Sequence, residues 1–65
     1  MELVHFTRYD GIGSISFVAD KIVAFTAFNK DESKTSIFVV SACDEHEEFV
    51  VGENYRQVVA IMEKI

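Results

Sequence analysis

The sequence contains no proline and a single cysteine, Cys43. Without proline, no residue is barred from donating to a strand ladder or from continuing a helix. One thiol cannot form an internal disulfide, and an unpaired cysteine suits a reducing compartment better than an oxidising one. Long hydrophobic runs are also missing. The longest mainly apolar stretch, Ile22 to Phe28, is far short of the roughly 20 residues that a spanning helix needs. Met1-Glu2-Leu3 opens with an acid where a secretory leader would carry bases. A cytoplasmic location without membrane insertion is therefore expected. Bases are few, with six Lys and Arg against eleven Asp and Glu for a net charge of -5. Nucleic-acid affinity comes largely from clustered cations, and the bases here are scattered, so no direct contact with nucleic acid is expected.

What is present is a strict order of segments: about fifty residues of alternating, β-branched and aromatic-rich sequence, then one short amphipathic helix. A chain of 65 residues forms one domain, spanning residues 1–65, because it is too small to divide between two cores. Domains of this size usually need a disulfide, a metal or self-association to stay folded. With 49% hydrophobic residues, six of them phenylalanine, a dense core is available and some apolar surface is free to be shared between chains.

Leu3 to Thr7 alternates with Val4 and Phe6 on one face, which predicts a first strand. Tyr9-Asp10-Gly11 supplies turn chemistry: the aspartate can bond its own backbone and the glycine can take positive φ. Ile15 and Phe17 alternate with Ser14, Ser16 and Val18 in a second strand that either stops near Asp20-Lys21 or bends there into the next. Ile22 to Phe28 reads as a further strand, Asn29 to Lys34 as a solvated loop, and Thr35 to Ser41 as the strand after it. A polar stretch, Cys43 to Glu47, then separates that strand from the short apolar run Phe49-Val50-Val51, and the two look like hairpin partners. Asn54 followed by Gln57 matches a capping box and predicts a helix over about 54–64. Tyr55, Val58, Val59, Met62 and Ile65 form its apolar stripe. The expected fold is α+β: a small antiparallel sheet of about four strands, flat or strongly curled, followed by one C-terminal helix.

The strands present two apolar faces. In the third, strict alternation sets Ile22, Ala24 and Phe28 against Val23, Phe25 and Ala27; in the next, Ile37 and Val39 oppose Phe38 and Val40. One helix covers only part of one face of a sheet. The second face calls for curling of the sheet, another copy of the chain or a partner, so a homo-oligomer is expected. Phe25, Phe28 and Phe38 are the apolar interface candidates.

No convergent set of acid, base and nucleophile can be assembled from this chain, and an enzyme is not expected. Cys43, Asp44, His46, Glu47 and Glu48 place several metal-ligand types within six residues, but a structural metal site draws its ligands from two separated segments, and His5 is the only other histidine. A solvated acidic hairpin is the better reading, with no metal and no cofactor. A Cys43–His46 nucleophile pair lacks a third group to orient the imidazole, which leaves a structural cysteine. Gly11-Ile12-Gly13 lacks the third glycine and following helix of a phosphate-binding loop and reads as turn punctuation. His5 reads as a partly buried or cross-strand residue. Asp44, Glu45, Glu47 and Glu48, with Glu53 nearby in sequence, form either a solubility surface or a docking patch for a basic protein surface; the first four are the charged interface candidates.

The chain resembles the small flagellar FlbD-like proteins. Phe6-Thr7-Arg8-Tyr9-Asp10-Gly11 is similar to that family's opening threonine-arginine and glycine turn. Ser16 to Ile22 is similar to its second segment, and Phe49-Val50-Val51-Gly52-Glu53-Asn54 through Val58-Val59 and Ile61 to its final strand, acidic cap and helix. The chain departs from the pattern in the longer loop Asn29 to Lys34, the acidic turn Asp44 to Glu48 and the missing proline before Asp20. The resemblance implies a cytoplasmic, non-enzymatic accessory of motility, with no catalytic residues to carry over.

Two functional classes follow. One is a small cytoplasmic interaction or regulatory module that docks on a larger assembly. The other is a compact acidic inhibitor of the phage or mobile-element kind that occupies the nucleic-acid groove of a host complex such as a CRISPR effector.

Overall fold

The structure, a computed structural model, describes residues 2–65. Five strands and one helix follow one another as β1 (Leu3–Thr7), β2 (Ser14–Val18), β3 (Ile22–Ala27), β4 (Thr35–Val40), β5 (His46–Val51) and α1 (Tyr55–Glu63), with a single 3-10 turn at Ala19–Lys21. The α+β class is as expected. The single sheet of about four strands is instead two antiparallel sheets, a hairpin β1-β2 and a three-stranded sheet β3-β4-β5. The extra strand comes from β5. Its apolar run Phe49-Val50-Val51 is extended backwards by His46, Glu47 and Glu48, which pair with Val40, Val39 and Phe38. These polar residues lie on a sheet edge and carry no hydrophobic alternation, so periodicity alone assigned Glu47 to the turn.

The chain passes from β2 to β3 through the 3-10 turn, which decides between the two courses expected near Asp20-Lys21, a stop or a bend, in favour of the bend. In the first turn, Ile12 N–H donates to Asp10 Oδ1 at 2.9 Å, and Gly11 and Gly13 take φ of +78° and +86°, a region open mainly to glycine. At the other end of the chain, Gln57 N–H donates to Asn54 Oδ1 at 2.8 Å while Asn54 N–H donates to Gln57 Oε1 at 3.0 Å. The expected capping box is formed. A third helix donor is satisfied from a distance: Tyr55 N–H reaches the carbonyl of Glu32 at 3.1 Å, so the solvated loop also helps to cap α1.

The core lies between the inner face of β3-β4-β5 on one side and β1-β2 with α1 on the other. Val4, Phe6, Phe17, Ile37, Val51 and Val58 are buried there, with Ile22, Phe25, Val39, Phe49, Ile61 and Met62 packed around them. Val4, Phe6, Ile15 and Phe17 face inward as their alternation predicted. Phe6 and Phe17 tilt against each other at 6.0 Å, and Phe17 meets Phe49 edge-on at 5.5 Å. The helix stripe holds through Met62, but Ile65 lies beyond the helix and is exposed.

Strict alternation fails in β3. Ile22 pairs with Val39 and Ala24 with Phe38, so Val23 is the extra residue of a bulge. A bulge shifts the side-chain phase by one. Ile22, Phe25 and Ala27 therefore share the inner face, and Val23 is left exposed.

The two sheets are joined at one corner. Arg8 and Val51 form an antiparallel bridge, and Gly52 N–H donates to the Thr7 carbonyl at 2.9 Å. Next to this corner, both carboxylate oxygens of Glu53 accept the Thr7 N–H at 2.9 Å, and one accepts the Thr7 hydroxyl at 3.0 Å. The buried hydroxyl of Thr35 donates to the Glu53 carbonyl at 3.0 Å.

Candidate protein interface

Register assigns each candidate residue a face. In the three-stranded sheet, Thr35, Ile37 and Val39 point inward, so Ser36, Phe38 and Val40 point outward. Ala24 and Thr26 of β3 and Glu48 and Val50 of β5 pair beside them on the outer face. Helix α1 and the β1-β2 hairpin both supply core residues on the inner face, and the outer face is covered only in part, with Ser36 of the central strand buried there. Its three large apolar residues, Phe38, Val40 and Val50, are half-buried.

The first hairpin reaches one end of that face. Tyr9, 53% exposed, meets Phe28, 48% exposed, edge-on at 6.0 Å. The Lys34 ammonium lies 5.5 Å from the centre of the Tyr9 ring, within range for a cation–π contact. Its neighbours in sequence mark Tyr9 as a turn residue only, because its partners Phe28 and Lys34 flank the distant loop between β3 and β4.

The three phenylalanine candidates do not share a surface. Phe25 is on the inner face, half-buried against Tyr55 at 5.8 Å, and belongs to the core. Phe28 and Phe38 lie toward the outer side. Alternation alone sets Phe25 and Phe28 on opposite faces, and the Val23 bulge decides that Phe25 shares the inner one with Ile22.

The acidic candidates lie at the far tip of the β4-β5 hairpin. Asp44 occupies the turn with φ of +62°. The turn is fixed by the Ser41 hydroxyl, which accepts the N–H groups of Cys43 and Glu45 at 3.3 Å each, and by Ser41 N–H donating to the Glu45 carbonyl at 2.8 Å. Glu47 and Glu48 follow in β5 on opposite faces, Glu47 beside Val39 and Glu48 beside Phe38. Glu53 is not part of this group. It lies at the other end of β5, roughly 17–20 Å away for a strand of this length, where it holds Thr7. Among the described residues one salt bridge is present, Arg8 to Asp10 at 3.8 Å, so the four tip carboxylates have no cation paired to them. Asp31, in the loop before β4, is held below the ordinary carboxylate range by hydrogen bonds from the Ser33 hydroxyl and N–H.

Cys43 is exposed in the hairpin turn and packs in no core, contrary to its reading as a structural residue. His5 pairs across the hairpin with Ser16, its Nδ1 2.7 Å from the Ser16 hydroxyl, as the cross-strand reading held. No group of three His, Cys, Asp or Glu side chains with metal-site geometry occurs among the described residues.

Comparison with protein-family models, with curated proteins and with solved structures found no match. None of the three bears on the FlbD-like resemblance. No helix among the described residues is long and apolar enough to cross a membrane.

The remaining feature is an open groove of about 570 Å³ between the first hairpin and β5. Arg8, Tyr9 and Asp10 form one side and Phe49 and Val50 the other, with Ser14 and Ile15 between them. It exists because the segment after Arg8 runs beside β5 from the corner and then peels away from it. No periodicity or motif signals this groove, since its walls are brought together by the corner at Arg8, Val51 and Gly52 between segments far apart in sequence.

Proposed function

We propose that this protein is a small non-enzymatic interaction or regulatory module of the cytoplasm, acting by protein–protein contact and self-associating through the outer face of β3-β4-β5. The observation that carries this reading is the apolar outer face, with Phe38, Val40 and Val50 half-buried and Tyr9 and Phe28 exposed at its end. Apolar surface of this kind, rimmed by polar residues, marks contact sites. A small domain gains stability by covering it. A motility accessory, as the FlbD-like resemblance implies, is one such module.

The test is sedimentation velocity at high protein concentration. The wild-type chain is expected to form a dimer or higher oligomer. Phe28→Asp, which puts a charge into the patch without touching the inner core, is expected to raise the dissociation constant about tenfold or more. A strictly monomeric wild-type profile would rule out the self-association.

The unpaired carboxylates at the hairpin tip favour a second reading, an acidic inhibitor that occupies the nucleic-acid-binding surface of a host complex such as a CRISPR effector. Changing Asp44, Glu45, Glu47 and Glu48 to their amides separates the two. Inhibition of nucleic-acid binding by the effector should disappear in that variant if the second reading holds. If the protein is a self-associating module, the variant should sediment as wild type does.

A further inference from the structure

We infer that the free edge of β5 is a strand-addition site for an extended peptide segment that alternates apolar and basic residues. The inference rests on the protein-contact reading above and gives that contact a location and a chemistry.

Strand β5 pairs with β4 along its whole length, and among the described residues nothing pairs with its other side except at the corner, where Arg8 bridges Val51 and Gly52 N–H reaches Thr7. Backbone N–H groups point to alternate sides along a strand. Gly52 N–H points away from β4, and the β4-β5 register has no shift, so the N–H groups of Val50 and Glu48 point away from β4 as well. Among the described residues, no backbone hydrogen bond below the corner joins them to the first hairpin. An unpaired row of this kind is a template for another strand. Beside it lies the groove walled by Tyr9, Ile15, Phe49 and Val50, which offers an apolar side chain of the incoming strand a place to enter.

Charge selects the occupant. The edge carries Glu47 toward the inner face and Glu48 toward the outer, with Asp44 and Glu45 at the tip. The groove's one cation, Arg8, is engaged by Asp10. A second copy adding its own β5 would bring these carboxylates against each other, and like charges on paired strands are destabilising. An alternating strand sends its apolar side chains to one face and its basic ones to the other, so apolar side chains on the inner face enter the groove beside Phe49 and Ile15 while basic ones on the outer face meet Glu48. The site therefore takes a basic, alternating segment of another protein, and it adjoins the self-association surface at Tyr9 and Val50.

The test uses the intact chain and two short fluorescein-labelled peptides, one alternating valine and lysine and the other valine and glutamate. Anisotropy gives the affinity, and amide hydrogen exchange gives the location. The lysine peptide is expected to bind, to slow exchange at Val50 and Glu48, and to weaken as salt is added; the glutamate peptide is expected not to bind. Glu48→Pro removes the outward N–H while sparing the ladder to β4, a substitution that edge strands tolerate. It is expected to weaken binding about tenfold or more. Glu48→Gln keeps the donor and is expected to cost about two- to fivefold. Equal binding of both peptides overturns the inference, as does unchanged exchange at Val50 and Glu48, or a folded Glu48→Pro variant that binds like wild type. A chain that binds neither peptide yet still associates through Phe28 overturns the edge site and leaves the outer-face reading standing. A monomeric chain that binds the lysine peptide at Val50 and Glu48 supports the edge site alone.

Discussion

Ile37→Ala is expected to leave most of the protein unfolded near room temperature. Ile37 is fully buried at the middle of the central strand β4, with Phe25 and Phe49 as its cross-strand partners. It belongs to the same core cluster as Val58 of the helix and Phe17 of the hairpin. Truncating such a residue costs about 2–5 kcal/mol, the spread depending on how far the site can collapse. Collapse is restricted here because the hairpin, the three-stranded sheet and the helix all contribute residues to this one cluster. A domain of this size holds only about 3–5 kcal/mol in total, so a single substitution is enough to exhaust it. Ile12→Ala is the control: Ile12 is 73% exposed in the first turn, and its truncation should change stability by no more than about 0.5 kcal/mol. Thermal melts followed by circular dichroism separate the two. An Ile37→Ala melting midpoint within about 4 °C of wild type, a shift that corresponds to less than about 1 kcal/mol in a domain this small, would mean that Ile37 is not the centre of the core.

What the sequence revealed about this fold divides by range. The facing of Val4, Phe6, Ile15 and Phe17, the Asp10 turn and the Asn54–Gln57 box are set by residues within a few positions of each other, and all are found as read. The phase of β3 is not local. Whether Val23 is counted in the alternation depends on how β3 registers against β4, and that pairing involves residues more than ten positions away. The same holds for the start of β5, where Glu47 and Glu48 become strand residues only because Val39 and Phe38 are there to pair with them.

The candidate interface was legible to the same extent. Its ingredients, an acidic hairpin and apolar residues on both sides of a strand, follow from composition and alternation. Their arrangement follows from tertiary closure. Phe25 leaves the patch through the bulge, and Glu53 leaves the acidic group because β5 separates it from the tip. Tyr9 joins the patch because the corner at Arg8 and Val51 carries the first turn over to Phe28. The groove beside β5 has the same origin.

That corner makes Gly52 the second position of large effect, and Gly52→Val is expected to destabilise the protein by about 2–4 kcal/mol, combining overpacking with a lost hydrogen bond. A Cβ at Gly52 would lie 3.1 Å from the Arg8 carbonyl oxygen and 3.6 Å from that of Thr7. Both neighbours are backbone, pinned by the Arg8–Val51 bridge and by the Glu53 carboxylate on Thr7, so neither can swing aside as a side chain would. Valine adds two methyl groups beyond that Cβ, and β1 must move off β5 to admit them. The Gly52–Thr7 hydrogen bond is then lost and the Glu53 carboxylate is drawn off the Thr7 N–H. Gly11→Ala isolates the other cost a glycine can hide: Gly11 has φ of +78° and no atom within 4 Å of its added Cβ, so only backbone strain of about 1–2 kcal/mol applies. Amide exchange distinguishes the mechanisms, because Gly52→Val should speed exchange at Thr7 beyond the global change in stability and Gly11→Ala should not. Equal protection of Thr7 in both variants would mean that the two sheets are held together by the core alone and that the corner only follows their packing.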